Sequence, residues 1–512
     1  MNRLDSLESR IEQRFDDSQS KDPPVYQSCG SSTYPSVESI LEWPVFAELG
    51  LQLQNRSLAV MHEVETGPED SSTFSFNSHS ASSSLAGTIM DEHSWDTKVI
   101  STAIEAFLEN VHCKNPVLET QTLEEAAKSC LDNGWSSDIN SALVSITCAL
   151  GLVSVPYKPS GPRGFQGVEN ADFLSSKMAA ERLITKGREI MCSQPPSLLA
   201  IQCLFFCGVY EMFVMRPIMA WLRFSQASLQ LKLHIQSRAF SPERFRTADG
   251  SLVQRLYWSC MQSECELANE LRITSTGLEH LPFPYAFPKP PITTPESPGR
   301  IHTDPKQLNS WMYYLSETSL RRIGNEIVWS FYSQNPSCWI DNIGSLQMLV
   351  EPLNQKLEAW IENLPPDLCI SESIFDSYNE LGLHVRSRYL LYRTWLFRPF
   401  LYFVIHAPPS KLLQHRSDVE PLAYRCMQIS MESINDATYH HRHHGTWYTV
   451  RVALCGALSL LAAAQVNSIS LPPGWEDAVQ KAISIVKSWS PESKNLVASL
   501  EVLQTLWDRA RE

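Results

Sequence analysis

The sequence predicts an all-α protein. From residue 95 onward, apolar residues recur at helical spacing, as in the set Ile104, Phe107, Leu108 and Val111, and alternating runs bounded by turn residues are nearly absent. The chain has 512 residues, of which 43% are hydrophobic, enough for one very large or two ordinary domains. We therefore expect a large multi-helix domain over residues 95–512, with essentially no sheet.

The first 94 residues have a different character. In residues 1–15, Leu4, Leu7 and Ile11 follow the spacing of a coiled-coil seam, but fewer than two heptads do not hold a helix alone. Residues 16–94 are polar and include the serine-rich tract Gly67–Ser84, which predicts a mostly disordered, flexible linker. Within this linker, residues 36–50 form a short apolar island around a Trp-Pro pair.

Helical periodicity and stop signals place the later helices along the chain. Pro217 suits the first turn of a helix, and Pro365-Pro366 ends one. The helix containing Arg255 and Trp258 has one narrow polar stripe, so we expect it to be buried on several sides, with Trp258 in a structural role. The predicted helices span 198–215, 217–234, 251–272, 307–333, 343–363, 379–403, 417–437, 446–466, 474–488 and 493–510.

Composition excludes several classes of function. A formal net charge of −14 argues against a surface that wraps nucleic acid, because phosphate binding needs clustered Lys and Arg. The apolar runs Leu198–Met215 and Val452–Ala464 fall short of the roughly 20 residues of a membrane span or carry polar interruptions, so we interpret both as core helices. The chain lacks P-loop, dinucleotide-binding, zinc-protease and serine-hydrolase motifs, and Asp16-Asp17 lacks the third aspartate of a magnesium–diphosphate site. We predict no enzymatic activity and no catalytic or cofactor-binding residue.

The histidine run from Tyr439 to His444 is the first candidate for a metal site. On a continuous helix, Asp436, His440 and His444 would share one face, but the outer two would lie roughly 12 Å apart along the axis. One ion with ligand bonds of about 2 Å does not reach all three, although two histidines could join a site completed elsewhere. We therefore favour a polar helix-to-helix connection ending at Gly445, and predict no metal-binding residue.

The cysteines and arginines are also predicted to have structural roles. The thirteen cysteines are mostly isolated, and the pair Cys203 and Cys207 lies one helical turn apart in an apolar helix, which favours packing over redox chemistry. Four arginines alternate with aromatic residues in HVRSRYLLYRTWLFRPF but do not share one stripe. We predict that they are buried or half-buried and pair with carboxylates and helix ends. These four are Arg386, Arg388, Arg393 and Arg398.

Six separated segments resemble, in order, the regulatory "middle homology" domain of fungal-specific transcription factors of the binuclear-zinc-cluster family. They are ILEWPVF (40–46), AIEAFLENVHCKNPVLE (103–119), the helix pair 197–234, RLYWSCMQSECELA (255–268), LEAWIENLPPDL (357–368) and LLYRTWLFRPFLY (390–402). The residues matching the family's structural motif are Trp43, Pro44, Val111, His112, Gln202, Trp221, Trp258, Ser259, Cys260, Arg398 and Pro399. The second segment departs from the family pattern, since Cys113-Lys114 stands where the family has a first proline.

The resemblance implies a nuclear regulator of RNA polymerase II genes that controls a metabolic, plausibly secondary-metabolite, gene set. It implies zinc only in an N-terminal cluster of six cysteines, but this chain has only Cys29 before Cys113 and no basic run. Residues 1–15 resemble the dimerisation helix after that cluster, so we expect the chain to start just downstream of its own DNA-binding module. The implied partners are a second copy or a related factor, transcription machinery or coregulators, and a small-molecule effector, with no membrane and no direct DNA contact.

Two alternatives remain at this point. The chain could be a freestanding interaction module that acts through intact partner transcription factors, which an upstream cysteine-rich coding segment would argue against. A helical enzyme or ligand carrier is the more distant alternative, which a bound metabolite or turnover would favour.

Overall fold

The computed structural model describes residues 34–49, 97–157, 171–237, 248–281, 305–368, 380–438, 441–466 and 468–511. Over these ranges every regular element is helical and no strand occurs, which confirms the all-α prediction. The seam predicted at residues 1–15, the pair Asp16-Asp17 and the serine-rich tract lie outside the described residues.

Sixteen α-helices follow one another along the described chain. They are α1 (Val37–Leu41), α2 (Thr97–Phe107), α3 (Thr120–Asn133), α4 (Ile139–Val153), α5 (Ala171–Cys192), α6 (Leu198–Phe213), α7 (Pro217–Ser237), α8 (Ala248–Leu271), α9 (Pro305–Tyr332), α10 (Ser337–Asp341), α11 (Ile343–Glu362), α12 (Glu380–His406), α13 (Pro409–Ala437), α14 (Thr446–Ala464), α15 (Trp475–Trp489) and α16 (Lys494–Arg509). A 3₁₀ turn, Pro44–Leu49, follows α1, and a π turn, Leu108–His112, extends α2.

Most predicted helices coincide with observed ones to within three residues, and α13 differs most. It begins at Pro409 rather than at residue 417, because proline is tolerated in a first turn. Its first two turns face solvent, and Leu413 is 79% exposed. These turns therefore lack the apolar periodicity by which a helix is recognised in a sequence.

Two helices form the centres of the packing. Residues along nearly the whole of α12 are buried, and this helix packs against α9, α11, α13 and α14. In the N-terminal half, α4 is enclosed by α2, α3, α5 and α6. The antiparallel pair α6 and α7 leads on to α8. One continuous apolar core joins these groups of helices.

One described helix, α14, is long and apolar enough to cross a membrane by length and composition. It has 19 residues, close to the predicted helix 446–466, and contains the apolar run Val452–Ala464. Of its most apolar window, 78% is buried inside the structure, between α13, α15 and α12. Its environment is that of a core helix.

The crossing of α2 and α4 depends on a glycine. A Cβ atom on Gly151 would lie 1.9 Å from the carbonyl oxygen of Ala103, which is backbone and has no freedom to rotate away. We expect Gly151→Ala to lower the free energy of unfolding by about 3 kcal/mol, as overpacked core sites do. Urea denaturation followed by circular dichroism measures the change.

Gly344→Ala is the matched control, because a Cβ at this position in α11 meets no atom within 4 Å. It should leave stability unchanged or raise it by up to about 1 kcal/mol, since alanine favours helix. Equal stability of the two variants would contradict the close approach of α2 and α4.

Candidate functional site

The segment between α2 and α3 is held by side chains that come from three parts of the chain. His112 Nε2 lies 2.8 Å from the carbonyl oxygen of Leu118, Gln202 Nε2 donates to that of Val117 at 2.6 Å, and Arg255 Nη1 donates to that of Pro116 at 2.5 Å. Three consecutive carbonyls thus each receive a separate donor. We call this arrangement the carbonyl clamp.

The carbonyl clamp supplies hydrogen-bond donors to backbone carbonyls that are buried. Pro116, Val117 and Leu118 are buried, and buried backbone carbonyls without a partner are costly. Burial also lowers the pKa of His112 to about 4, so its ring is neutral at pH 7. Because a carbonyl only accepts, the proton of the neutral ring lies on Nε2.

The other motif residues of this region pack beneath the clamp. The hydroxyl of Tyr314 donates to the Arg255 carbonyl at 2.7 Å, and the Ser259 hydroxyl lies 3.4 Å from the Tyr314 oxygen. The Arg255 guanidinium also pairs with Glu119. The remaining motif side chains take no part in the clamp: Val111, Trp258 and Cys260 are buried in the core, and Trp221 is partly buried against it.

A second group of motif residues meets at α12. The Trp43 ring lies edge-on to Tyr402, with centroids 5.3 Å apart, and Arg398 Nη1 donates to the Pro35 carbonyl at 3.0 Å. The structure therefore brings the Trp-Pro and Arg-Pro motifs together, whereas Pro44 itself is exposed.

Pro399 lies inside α12 and has no N–H to donate to the carbonyl of Trp395, four residues earlier. The hydroxyl of Tyr332, from α9, donates to that carbonyl at 2.8 Å. The proline is thus accommodated by a side chain of another helix, a partner that we did not predict.

At the centre of the domain, two arginines share two carboxylates. Arg388 makes a two-pronged contact with Glu266, with N–O distances of 2.7 and 2.8 Å, and Arg321 lies 3.3 Å from the same carboxylate. Glu317 is 3.4 Å from Arg388, and burial raises its pKa to about 7. Charges so enclosed are stable only as hydrogen-bonded pairs.

The four arginines singled out by the sequence have different partners. Arg386 and Arg388 pair with carboxylates, Arg386 at 2.5 Å from Asp436. Arg398 binds a backbone carbonyl, and Arg393 stacks over the Tyr389 ring at 5.3 Å. The expectation of carboxylate partners was therefore wrong for Arg393 and Arg398, because the core offers these two positions aromatic faces and a carbonyl.

The histidine run is not a continuous helix. Helix α13 ends at Ala437, and residues 441–445 turn before α14 begins, so the separation along a helix axis does not apply. The connection is also less solvated than we expected, since Arg442 and His443 are buried. His440 lies outside the described residues. Among those described, no group of three or more His, Cys, Asp or Glu side chains is arranged to hold a metal ion.

Glu380, the first residue of α12, connects this turn to the rest of the domain. Its Oε1 atom lies 2.7 Å from Lys114 Nζ and 3.3 Å from both His384 Nε2 and His441 Nε2. Burial alone would raise the pKa of Glu380, but the Lys114 ammonium and the His384 hydrogen bond hold it well below its usual range. Lys114, the departure from the family pattern, is thus a buried cation with a carboxylate partner.

A cavity of about 70 Å³ lies between α9, α12, α13 and α14. Its polar lining comes from Tyr313, His384, Arg388, His443, His444 and Tyr448. A smaller cavity of about 30 Å³ shares Arg388 and Tyr448 with it and reaches Pro35, Glu270 and Arg451. Cavities of this size have room for ordered water or a small polar group.

The two cysteines of α6 are core residues. Cys203 and Cys207 are buried, and burial raises the pKa of the Cys207 thiol to about 11. Both thiols are therefore protonated at pH 7, which suits packing and not nucleophilic or redox chemistry.

The carbonyl clamp makes Gln202 a stability determinant. Gln202→Leu keeps the side-chain size but leaves the buried Val117 carbonyl without its donor, so we expect a loss of about 1–3 kcal/mol in the free energy of unfolding. Gln355→Leu removes an exposed hydrogen bond to Glu351 and should change stability by less than about 0.5 kcal/mol. Urea denaturation measures the free energy of unfolding of both variants. A similar loss in the two variants would contradict the role of Gln202 in the carbonyl clamp.

The buried histidines predict sensitivity to acid. Burial lowers the pKa of His444 to about 3, below the ordinary value of 6.5, so the unfolded chain takes up the proton first. Stability associated with neutral His444 is present above pH 6.5 and is lost as the pH falls toward 3. Between pH 7 and pH 5, the wild type should therefore lose about 2 kcal/mol more than His444→Gln.

Urea denaturation at the two pH values measures this difference, and His280→Gln, on an exposed turn, is the control. If the free energy of unfolding of the wild type and of His444→Gln depends on pH in the same way, His444 is protonated to the same extent in the folded and unfolded states. That result would contradict the prediction.

The comparison with known proteins identifies part of this architecture. No curated protein matches the chain. Residues 104–288, which include His112, Gln202 and Arg255 of the carbonyl clamp, match the fungal specific transcription factor domain, and no zinc-cluster domain matches within the printed chain. This match covers about a third of the 512-residue chain.

Proposed function

We propose that this chain is the regulatory part of a fungal transcriptional regulator that acts in the nucleus on RNA polymerase II genes. The observation that carries the proposal is the fungal specific transcription factor domain at residues 104–288. Its motif residues His112 and Gln202 bind the Leu118 and Val117 carbonyls of the segment between α2 and α3. The domain would thus act as a rigid helical scaffold that presents surfaces to other proteins.

The acidic balance supports a role in protein contacts. With a net charge of −14, the printed chain lacks the excess of cations by which proteins follow DNA, so we assign DNA contact to another module or to a partner. The partners we propose are a second copy or a related factor, together with coregulators. The matched family is a transcription factor family, and we propose no enzymatic reaction.

The larger cavity, between α9, α12, α13 and α14, is the site we propose for a small-molecule effector. Two tyrosines and three histidines line it beside Arg388, so a small ligand with hydrogen-bonding groups would find partners there. The cavity lies between α12 and the turn that precedes α14, so a ligand could alter how these elements pack. The genes that we propose for this regulator are a metabolic set for secondary metabolites.

A reporter assay tests the proposed function. The full chain, fused to a heterologous DNA-binding domain in a fungal host, should change transcription of a reporter that carries the cognate site. Gln202→Leu should reduce the effect in proportion to the loss of folded protein, and Gln355→Leu should preserve it. Immunoblots show the protein level of each fusion.

The outcomes separate the alternatives. A folded, nuclear fusion that leaves the reporter unchanged would contradict a regulatory domain with an activity of its own. An unfused chain that changes transcription only when an intact related factor is present would instead favour the freestanding module.

A further inference from the structure

Residues 34–49, which we call the strap, lie against the helical domain although they are distant from it in sequence. Glu38 accepts two hydrogen bonds from Arg451, at 2.9 and 2.5 Å, and the backbone N–H of Val45 donates to His406 Nε2 at 3.2 Å. The strap thereby contacts α12 and α14. Ser36 begins α1 as its N-cap, so the strap has local structure of its own.

Four apolar side chains anchor the strap. Val37, Ile40, Trp43 and Phe46 recur at every third residue, and each is at most 3% exposed. They are the strap's main apolar contribution to the domain core. Docking orders the whole strap, which costs conformational entropy, and only these four anchors and a few polar contacts offset that cost. The net free energy of docking is therefore a small difference between large terms.

The charges indicate that the groove can exist without the strap. Arg451, which is buried, also donates from Nε to Glu270 at 2.6 Å, so undocking leaves an ion pair rather than an isolated buried cation. With the strap docked, two carboxylates share one guanidinium. Burial raises the pKa of Glu270 against the opposing effect of Arg451, and the nearby Glu38 raises it further. Breaking a buried pair is strongly destabilising only when a charge is left uncompensated.

The strap also closes the smaller cavity. Pro35 lines the space beside Glu270 and Arg451, and its carbonyl is bound by Arg398. Arg388 and Tyr448 separate this space from the larger cavity. Undocking would therefore uncover Arg398, Arg451 and an apolar groove, which lies next to the larger cavity.

We propose that the strap is a releasable element that docks in cis in a groove formed by α8, α12 and α14, with the Glu38–Arg451 contact as its latch. In the docked state it covers the groove. In the released state the helical body stays folded, and the groove, with Arg398 and Arg451, is open to solvent.

Hydrogen exchange on the full chain tests release directly. Amides of residues 34–49 should exchange faster than those of the core of α12 and α14, because they open without unfolding the body. Glu38→Gln should speed exchange of the strap by at least about tenfold, the effect expected from loss of hydrogen bonds to a charged partner, and leave α12 unchanged. Glu42→Gln is the matched control, since the Glu42–Arg272 pair is exposed at the rim and should change strap exchange by less than about threefold.

A second measurement covers the case in which Glu38→Gln does not fold. A protease site inserted in Gly67–Ser84 of the full chain allows cleavage between the strap and α2. The fragment carrying the strap should remain bound at high concentration and separate on dilution, while circular dichroism of the remainder stays helical.

Three results would overturn the proposal. One is strap exchange that matches the core of α12 in every variant, because the strap would then open only with global unfolding. Another is a cleaved fragment that separates only when the body unfolds. The third is a fragment that never stays bound, which would show that the groove has no affinity for the strap.

Discussion

Buried backbone carbonyls that no helical N–H group satisfies are the constraint on which this structure depends. In a large all-α body, segments between helices pass through the core, where water is not available to their carbonyl groups. Long side chains of distant helices supply the missing donors. Arg255 serves the Pro116 carbonyl, Arg398 that of Pro35, and Arg442 that of Phe213 at 3.1 Å. Each such bond connects parts of the chain that are far apart in sequence.

The same constraint explains why the core contains so many cations. An arginine has five donors in a fixed plane, so one guanidinium can serve a carbonyl and a carboxylate together, as Arg255 does with Pro116 and Glu119. Arg451 takes two carboxylates, Glu38 and Glu270, in the same way. Buried charge in this protein therefore serves mainly to orient segments, and the hydrophobic core supplies the stability.

The larger cavity and the strap are two places at which the conformation of the helical body could respond. The cavity is lined by His384 and His444, which are neutral at pH 7 because burial lowers the pKa of each. Glu317, whose pKa is raised by burial to about 7, lies 3.4 Å from the lining residue Arg388. The strap reaches the adjoining cavity through Pro35. A ligand, a proton or a partner acting on either place would meet the same residues, Arg388 and Tyr448. Signals from different sources could thus converge on α12 and α14.

The sequence by itself determined the helical class, most helix positions and the family resemblance, because apolar periodicity and proline stops are local properties of the chain. Burial of the helix around Trp258 also followed from its narrow polar stripe. Helix α13 was placed too short, since its first turns face solvent and carry no periodic signal.

Only the tertiary structure decided which residues meet. His112, Gln202 and Arg255 are separated by up to about 140 residues, as the 139-residue spacing of Arg255 and Pro116 illustrates, and nothing local in the sequence relates one donor to one carbonyl. Lys114 was visible as a departure from the family pattern, but its partner Glu380 lies at the start of a distant helix. Pairing of Glu38 with Arg451 required the fold for the same reason: burial makes a partner necessary, and only packing determines which partner is within reach.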